Sequence, residues 1–332
     1  MASGMERRVV VTDSEPLLTP GIELLRARGV TVDVVPDGTD AEGIAAAAAD
    51  APAVIVGIKP FRAPAIATLR ATGLLIRAGI GYDIIDVPAA TERGIWVANV
   101  PDYCVDEVAD HTVLLLMSAC RRLFEVEHIW HEGKWVNPAI TPPVHRTRGR
   151  RLGIVGFGRI GRAVAARALG FGWEVVAYDP LLPADAVRAA GATPVGLDEL
   201  FTTSDAVSLH SPLTPETRHL VSAERLATVK KGFVVVNTSR GGLIDIDALD
   251  AALESGQVSA VGLDVLEDEP APDLSRPIFQ RPNVLLTPHL AWYSIEARVD
   301  LARLAAENAY RYISGEAPWN IVNPGARAAG GA

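Results

Sequence analysis

"RLGIVGFGRIGRAVAARALGFGWEVVAYDP", residues 151–180, decides the fold. An apolar run meets Gly156, Gly158 and Gly161 in a Gly-x-Gly-x-x-Gly spacing, with Phe157, Arg159 and Ile160 between them. A helical stretch follows, and a second apolar run ends on Asp179. Strand, glycine turn, helix, strand and a terminal acid in this order form a dinucleotide-binding fingerprint. Gly156 allows the tight turn, Gly158 lets a pyrophosphate approach the backbone, and Gly161 lets helix and strand pack closely. The phosphates then meet the positive end of the helix. Asp179 is placed to accept hydrogen bonds from the ribose hydroxyls and to repel a 2′-phosphate. Pro180, Leu181 and Leu182 supply no arginine to welcome one. NAD is therefore expected over NADP.

The same alternation runs on from this stretch. The strands "LGIVGFG", "WEVVAYD", "AVSLHS", "FVVVNTS", "SAVGLDV" and "NVLLTPH" are separated mostly by helices. The first hundred residues show a second series, with "RVVVTD", "VTVDVV", "AVIVGI", "LLIRAGIG" and "IWVANV" as strands. Continuous apolar strands between helices imply parallel sheets covered on both faces. The fold class is thus α/β, with two doubly wound parallel-sheet units. Between them, "DEVADHTVLLLMSACRRLFEVEHI" reads as one long helix from Asp106, apolar around most of its surface near Leu114–Leu116. "HEGKWVNPAITPPVHRTRGRR" reads as a surface crossing, "SIEARVDLARLAAENAYRYISG" as one amphipathic helix, and an Ala/Gly tail follows Pro324.

Bulk properties narrow the function classes. The 332 residues suit two domains, and 49% hydrophobic with 6% aromatic residues is a globular composition. A net charge of −9 gives no support to nucleic-acid binding. Cys104 and Cys120 cannot build a disulfide framework and lack metal-ligand spacing, so reduced thiols are expected. No apolar run reaches the roughly 18 residues of a membrane span, and no leader is evident. A cytoplasmic protein without membrane contact is the expectation.

Three further stretches end strands of the second unit: "NTSRGGLID" with Arg240, "GLDVLEDEP" with Asp264 and Glu269, and "TPHLAWYS" with His289. Arginine binds carboxylates as a bidentate fork and keeps its charge at any working pH. A carboxylate beside a histidine favours the imidazolium, an acid that can still exchange protons near neutrality. Arg, Glu and His facing one nicotinamide are the groups needed to reduce a 2-keto acid.

With these motifs the chain resembles the D-isomer-specific 2-hydroxyacid dehydrogenases over nearly its whole length. "RAGIGYDIID", "CVDEVADHT" and above all "PHLAWYS" look most like the branch of the C-terminal-binding-protein corepressors and their bacterial relatives. The resemblance implies that Arg240 binds the substrate carboxylate and polarises the keto oxygen. It makes His289 the general acid and base, with Glu269 as its charged partner. Asp264 would hold the nicotinamide end. Thr112, Thr238, Ser239, Arg240, His289, Ser211, Pro212 and Thr217 would line the cofactor site, and Arg77, Ile80, Gly81 and Trp292 would meet the substrate.

The resemblance also implies two Rossmann-like or flavodoxin-like domains with the active-site cleft between them. Residues 1–101 plus 293–332 would form a discontinuous substrate domain, and 102–292 the NAD-binding domain. A homodimer through the NAD-binding domain would use the long helix. Two departures bear on substrate. Ala291-Trp292-Tyr293 stands where Pro-His-x-Gly-Gly is commoner, giving the pocket an apolar wall and arguing against 3-phosphoglycerate. The sequence also stops soon after the final helix, so the extra regulatory domain of some phosphoglycerate dehydrogenases is not expected.

Other residues read as ordinary. His128 and His131 lack a third ligand, so no metal is expected, and His210 reads as positional. The runner-up reading is an NAD(H)-sensing scaffold with little turnover, like the corepressors.

Overall fold

The structure, a computed structural model, describes residues 7–13, 16–135 and 142–326. Part of the expected surface crossing and most of the Ala/Gly tail lie outside the described residues. The chain divides into two compact units, Met1–Cys104 with Tyr293–Ala332, and Val105–Trp292. No helix among the described residues is long and apolar enough to cross a membrane.

The first unit has five described strands: β1 (Arg8–Val11), β2 (Thr31–Val34), β3 (Ala53–Val56), β4 (Leu74–Arg77) and β5 (Trp96–Ala98). They pair in parallel in the order β2-β1-β3-β4-β5. β3 is buried along its whole length, as a strand covered on both faces must be. One face packs Val10, Val54, Val56, Leu75 and Val97 against Ile44, Ile66 and Ala90. The other is covered by the helices Thr19–Ala27 and Ile295–Ile313. These two helices cross so closely that a Cβ on Gly21 would lie 2.2 Å from the Ala302 carbonyl oxygen. Gly73 similarly leaves room for the Tyr312 hydroxyl. Arg28 pairs with Glu307 at 2.7 Å across the same contact.

The second unit has seven described strands: β6 (Arg151–Val155), β7 (Glu174–Tyr178), β8 (Thr193–Pro194), β9 (Ala206–Leu209), β10 (Phe233–Asn237), β11 (Val258–Leu263) and β12 (Val284–Leu286). All pair in parallel in the order β12-β11-β10-β9-β6-β7-β8. Alternate residues feed two cores. Leu152, Ile154, Val234 and Val236 pack with Leu115, Leu116 and Val164, while Val155, Phe233 and Val235 pack with Leu200, Leu249 and Leu253. Burial on both faces explains why these strands read as unbroken apolar runs. The strand order reverses between β6 and β9, the place where open α/β sheets bind their ligands.

The long helix expected from Asp106 is two helices, Val105–Cys120 and Leu123–His131. Arg122 breaks it with a left-handed φ of +56°, and its guanidinium reaches the Ser259 carbonyl oxygen and Glu125. The long-range bond to Ser259 and the local pair with Glu125 offset a cost of about 1–2 kcal/mol. Leu115 and Leu116 are buried, but Leu114 is exposed. His128 and His131 face Glu132 and Glu127 one turn along their own helix. The short β8 has no counterpart in the sequence reading, and its Pro194 fits an edge strand.

Candidate active site

The three fingerprint glycines differ in what surrounds them. A Cβ on Gly156 would lie 2.6 Å from the His210 backbone, and its φ of +87° favours glycine. A Cβ on Gly161 would lie 2.3 Å from the Gly156 carbonyl oxygen. Gly158 has nothing within 4 Å, so its backbone faces open space. It caps the helix Arg159–Gly170 without any side-chain cap, leaving the helix's first N–H groups unclaimed by a capping side chain. Those donors and the open approach at Gly158 fit a pyrophosphate. Arg159 and Ile160 open this helix.

Asp179, at the end of β7, accepts from the Phe157 N–H at 2.8 Å and from the Leu181 N–H at 2.9 Å. The acid thus braces the glycine loop from the neighbouring strand. Leu181 is exposed beside it.

At the end of β9, burial pushes the His210 imidazole down to about 3, so its ring is neutral, 2.8 Å from the Ser208 hydroxyl. The Ser211 Oγ is buried without a hydrogen-bond partner among the described residues. A bound ligand is the natural partner for such a group. Thr217 donates to the Pro212 carbonyl oxygen and accepts from the Thr214 N–H, so it shapes the loop.

The turn after β10 is held by Asn237, which the sequence reading passed over. Its side chain accepts from the Ser239 N–H at 3.0 Å and donates to the Arg240 carbonyl oxygen at 2.8 Å. Ser239 donates to the Leu209 carbonyl oxygen, and Thr238 lies 2.8 Å from the Thr112 hydroxyl. Thr112 spends its own proton on the Val108 carbonyl oxygen, so Thr238 is the donor. The next residue, Gly241, packs on the loop after β11: a Cβ there would sit 2.0 Å from the Leu266 carbonyl carbon. Any side chain at 241 would push the Arg240 turn away from the Glu269 loop.

That close approach brings three candidate catalytic groups together. Glu269 accepts from the Leu266 N–H at 2.7 Å and meets His289 Nδ1 at 2.6 Å. Burial raises the Glu269 carboxyl, but the hydrogen bond and charge of His289, the Leu266 N–H and the Arg240 charge outweigh it. The carboxyl ends below its ordinary value. His289 has a left-handed φ of +54°, and its N–H donates to the Asp264 and Thr287 carbonyl oxygens. Asp264 is 1% exposed. Its carboxylate accepts from the Thr287 hydroxyl at 2.6 Å and from the Leu290 and Ala291 N–H groups, both at 2.9 Å. Those oxygens hold the His289 loop. Trp292, half-buried, ends this unit.

Arg77 ends β4 in the first unit, and Ile80 and Gly81 follow it. The Arg77 guanidinium folds back beside Gly79 and reaches the Ala78 carbonyl oxygen. Asn99 holds the turn by donating to the Ile80 carbonyl oxygen at 2.7 Å.

Comparison with known proteins places the chain in a family. Residues 113–291 match the NAD binding domain of D-isomer specific 2-hydroxyacid dehydrogenases. A glyoxylate reductase of Korarchaeum cryptofilum is 44% identical over 253 residues, covering 75% of this chain and 76% of that protein. A D-3-phosphoglycerate dehydrogenase of Methanocaldococcus jannaschii is 36% identical over 319 residues, 95% of this chain and 59% of that protein. Among solved structures, a glyoxylate reductase from Paecilomyes thermophila matches with a TM-score of 0.87 at 32% identity, covering 97% of this chain and 99% of that one. The chain belongs to the D-isomer specific 2-hydroxyacid dehydrogenase family and is an NAD-dependent oxidoreductase of that family.

Proposed function

We propose that the protein interconverts a small 2-keto acid and the corresponding D-2-hydroxy acid, using Arg240, Glu269 and His289. The observation that carries this reading is the 2.6 Å contact between His289 Nδ1 and Glu269, with the Arg240 charge acting on the same carboxylate. When bound, the nicotinamide supplies the hydride to the keto carbon, or accepts it in reverse. Arg240 holds the substrate carboxylate with its fork and polarises the keto oxygen. Glu269 accepts the Nδ1 proton of His289, so Nε2 carries the proton that is transferred. That proton goes to the oxygen as the carbonyl becomes an alcohol, balancing the hydride, and returns to Nε2 in oxidation.

The same proposal assigns the Arg77–Gly81 loop and Trp292 to substrate binding. Glyoxylate heads the substrates to be tried, because the Korarchaeum cryptofilum relative is named a glyoxylate reductase. An apolar wall at Trp292 favours small uncharged side chains over phosphorylated ones. Asp179, with Pro180 to Leu182 following it, favours NAD over NADP.

His289→Gln is expected to lose roughly 10²–10⁴-fold in turnover while NADH still binds. Arg240→Lys is expected to be poor as well, because a point charge cannot replace the fork. Steady-state assays with a panel of 2-keto acids and NADH check both. Near-normal turnover by His289→Gln rejects the proton-donor role. No turnover of any keto acid by the parent enzyme, with tight NADH binding, supports the NAD(H)-sensing scaffold instead.

Gly158→Ala is expected to fold normally yet bind NADH at least about tenfold more weakly, since the methyl occupies the open approach. Gly161→Ala is expected to lose about 1–3 kcal/mol of stability through overpacking. NADH fluorescence titrations and urea melts distinguish the two.

The lowered Glu269 carboxyl also predicts a pH effect. A depressed folded value adds stability above the ordinary 4.5, lost as pH falls through the folded value. Urea melts between about pH 3 and pH 6 are expected to show a smaller loss in Glu269→Gln than in the parent, the remainder coming from other lowered carboxylates such as Asp205.

We further propose a homodimer through the helices Val105–Cys120 and Leu123–His131, whose Leu114, Leu123 and Trp130 are exposed. Sedimentation equilibrium of the parent is expected to give a dimer, and Leu123→Glu with Trp130→Glu a monomer. A monomeric parent rejects the interface.

A further inference from the structure

The loop that carries His289 is wound around one buried side chain. Asp264 receives four donors from five consecutive residues: the Thr287 hydroxyl and the Leu290 and Ala291 N–H groups on its carboxylate, and the His289 N–H on its carbonyl oxygen. This wrapping keeps His289 at a φ of +54°. A β-carbon-bearing residue there has a steric reason to relax toward negative φ, which would carry its ring away from Glu269.

The proton bookkeeping of the network gives it a direction. Thr287 has one hydroxyl proton, and the carboxylate 2.6 Å away only accepts. The Thr287 oxygen is therefore an acceptor toward its other neighbour, His111 Nε2, at 2.9 Å. His111 must carry a proton on Nε2, and that nitrogen also lies 3.7 Å from the Asp264 carboxylate. The chain of donation runs from His111 to Thr287 to Asp264. His111 stands on the helix Val105–Cys120, next to Thr112, which accepts from Thr238 two residues before Arg240. Adjacent residues of one rigid helix thus reach the loop of the proton donor and the turn of the carboxylate binder.

We propose that His111 is a positioning residue for the reaction: through Thr287 and Asp264 it sets the His289 ring in line with Glu269, without touching substrate. This inference rests on the reading of His289 as proton donor. A misplacement of about 1 Å at a reacting group can cost on the order of a hundredfold in rate. Loss of the His111 donor leaves the Thr287 oxygen with one partner fewer and the loop free to shift.

The test uses the full chain with NADH and whichever 2-keto acid is turned over fastest. His111→Leu and Thr287→Val are each expected to lower kcat about ten- to a hundredfold, with the NADH Kd changed by less than about twofold. Thr287→Ser, which keeps the hydroxyl, is expected to retain most of the parent kcat. The double variant His111→Leu with Thr287→Val is expected to be no worse than the poorer single one, because both cut one chain. Placed in a His289→Gln background, His111→Leu is expected to change the residual rate by less than about twofold. Should His111→Leu fail to fold, the Thr287→Val and Thr287→Ser pair carries the same comparison.

Parent-like kcat in both His111→Leu and Thr287→Val overturns the proposal. So does an equal fold-loss from His111→Leu in the parent and His289→Gln backgrounds, which marks general damage. Retained turnover by His289→Gln alone brings down the proton-donor reading and this inference with it. A dead His289→Gln beside a fully active His111→Leu brings down only the inference.

Discussion

A carboxylate taken out of water costs several kcal/mol unless donors meet it. At Asp264 the donors come from an irregular loop that needs acceptors for its own N–H groups. Hydrogen bonds to a charged group are worth about 1.5–3 kcal/mol each, so two or three of them outweigh one left-handed residue at about 1–2 kcal/mol. The buried acid and the strained loop therefore stabilise each other. His289 is where it is because the Thr287 hydroxyl before it and the Leu290 and Ala291 N–H groups after it are bound to one side chain.

The same device recurs along the carboxyl edge of this sheet. Asp179 ends β7 and takes the N–H groups of Phe157 and Leu181, while Asn237 ends β10 and clips the Ser239–Arg240 turn. Parallel strands stop with their last backbone groups pointing into loops, and a short polar side chain at the strand end can satisfy them. Dinucleotide loop, guanidinium turn and imidazole loop are each held by a strand-terminal acid or amide. Gly241, pressed on the Leu266 backbone, then sets the distance between the guanidinium turn and the loop that carries Glu269.

Much of this could be read from the chain because the signals were local. The glycine spacing at 156, 158 and 161 fixes a turn whose steric reasons need no distant partner, and unbroken apolar strands reveal a sheet covered on both faces. What stayed hidden depends on remote contacts. The apolar pattern runs straight through Arg122, and its bond to Ser259, 137 positions away, shows why the helix stops there. His111 and Thr287 are 176 positions apart, and neither carries a spacing that points to the other. The resemblance assigned Asp264 to the nicotinamide end. Which neighbours its oxygens serve is decided by how the next strand's loop folds back, and no linear pattern records that.

The helix Ile295–Ile313 lies near the end of the chain yet covers β3 and β4, which lie in its first quarter. Gly21 and Gly73 exist to receive it, one against the Ala302 backbone and the other against the Tyr312 hydroxyl. On the ribosome, β3 and β4 therefore lack the cover of this helix until the whole second unit, which lies between them and it in the chain, has been synthesised. The second sheet, encoded without interruption, has all its covering helices at hand earlier. The first unit can finish burying its sheet only after the second has been made, and in the interval the valines and leucines awaiting this helix are candidate chaperone ligands.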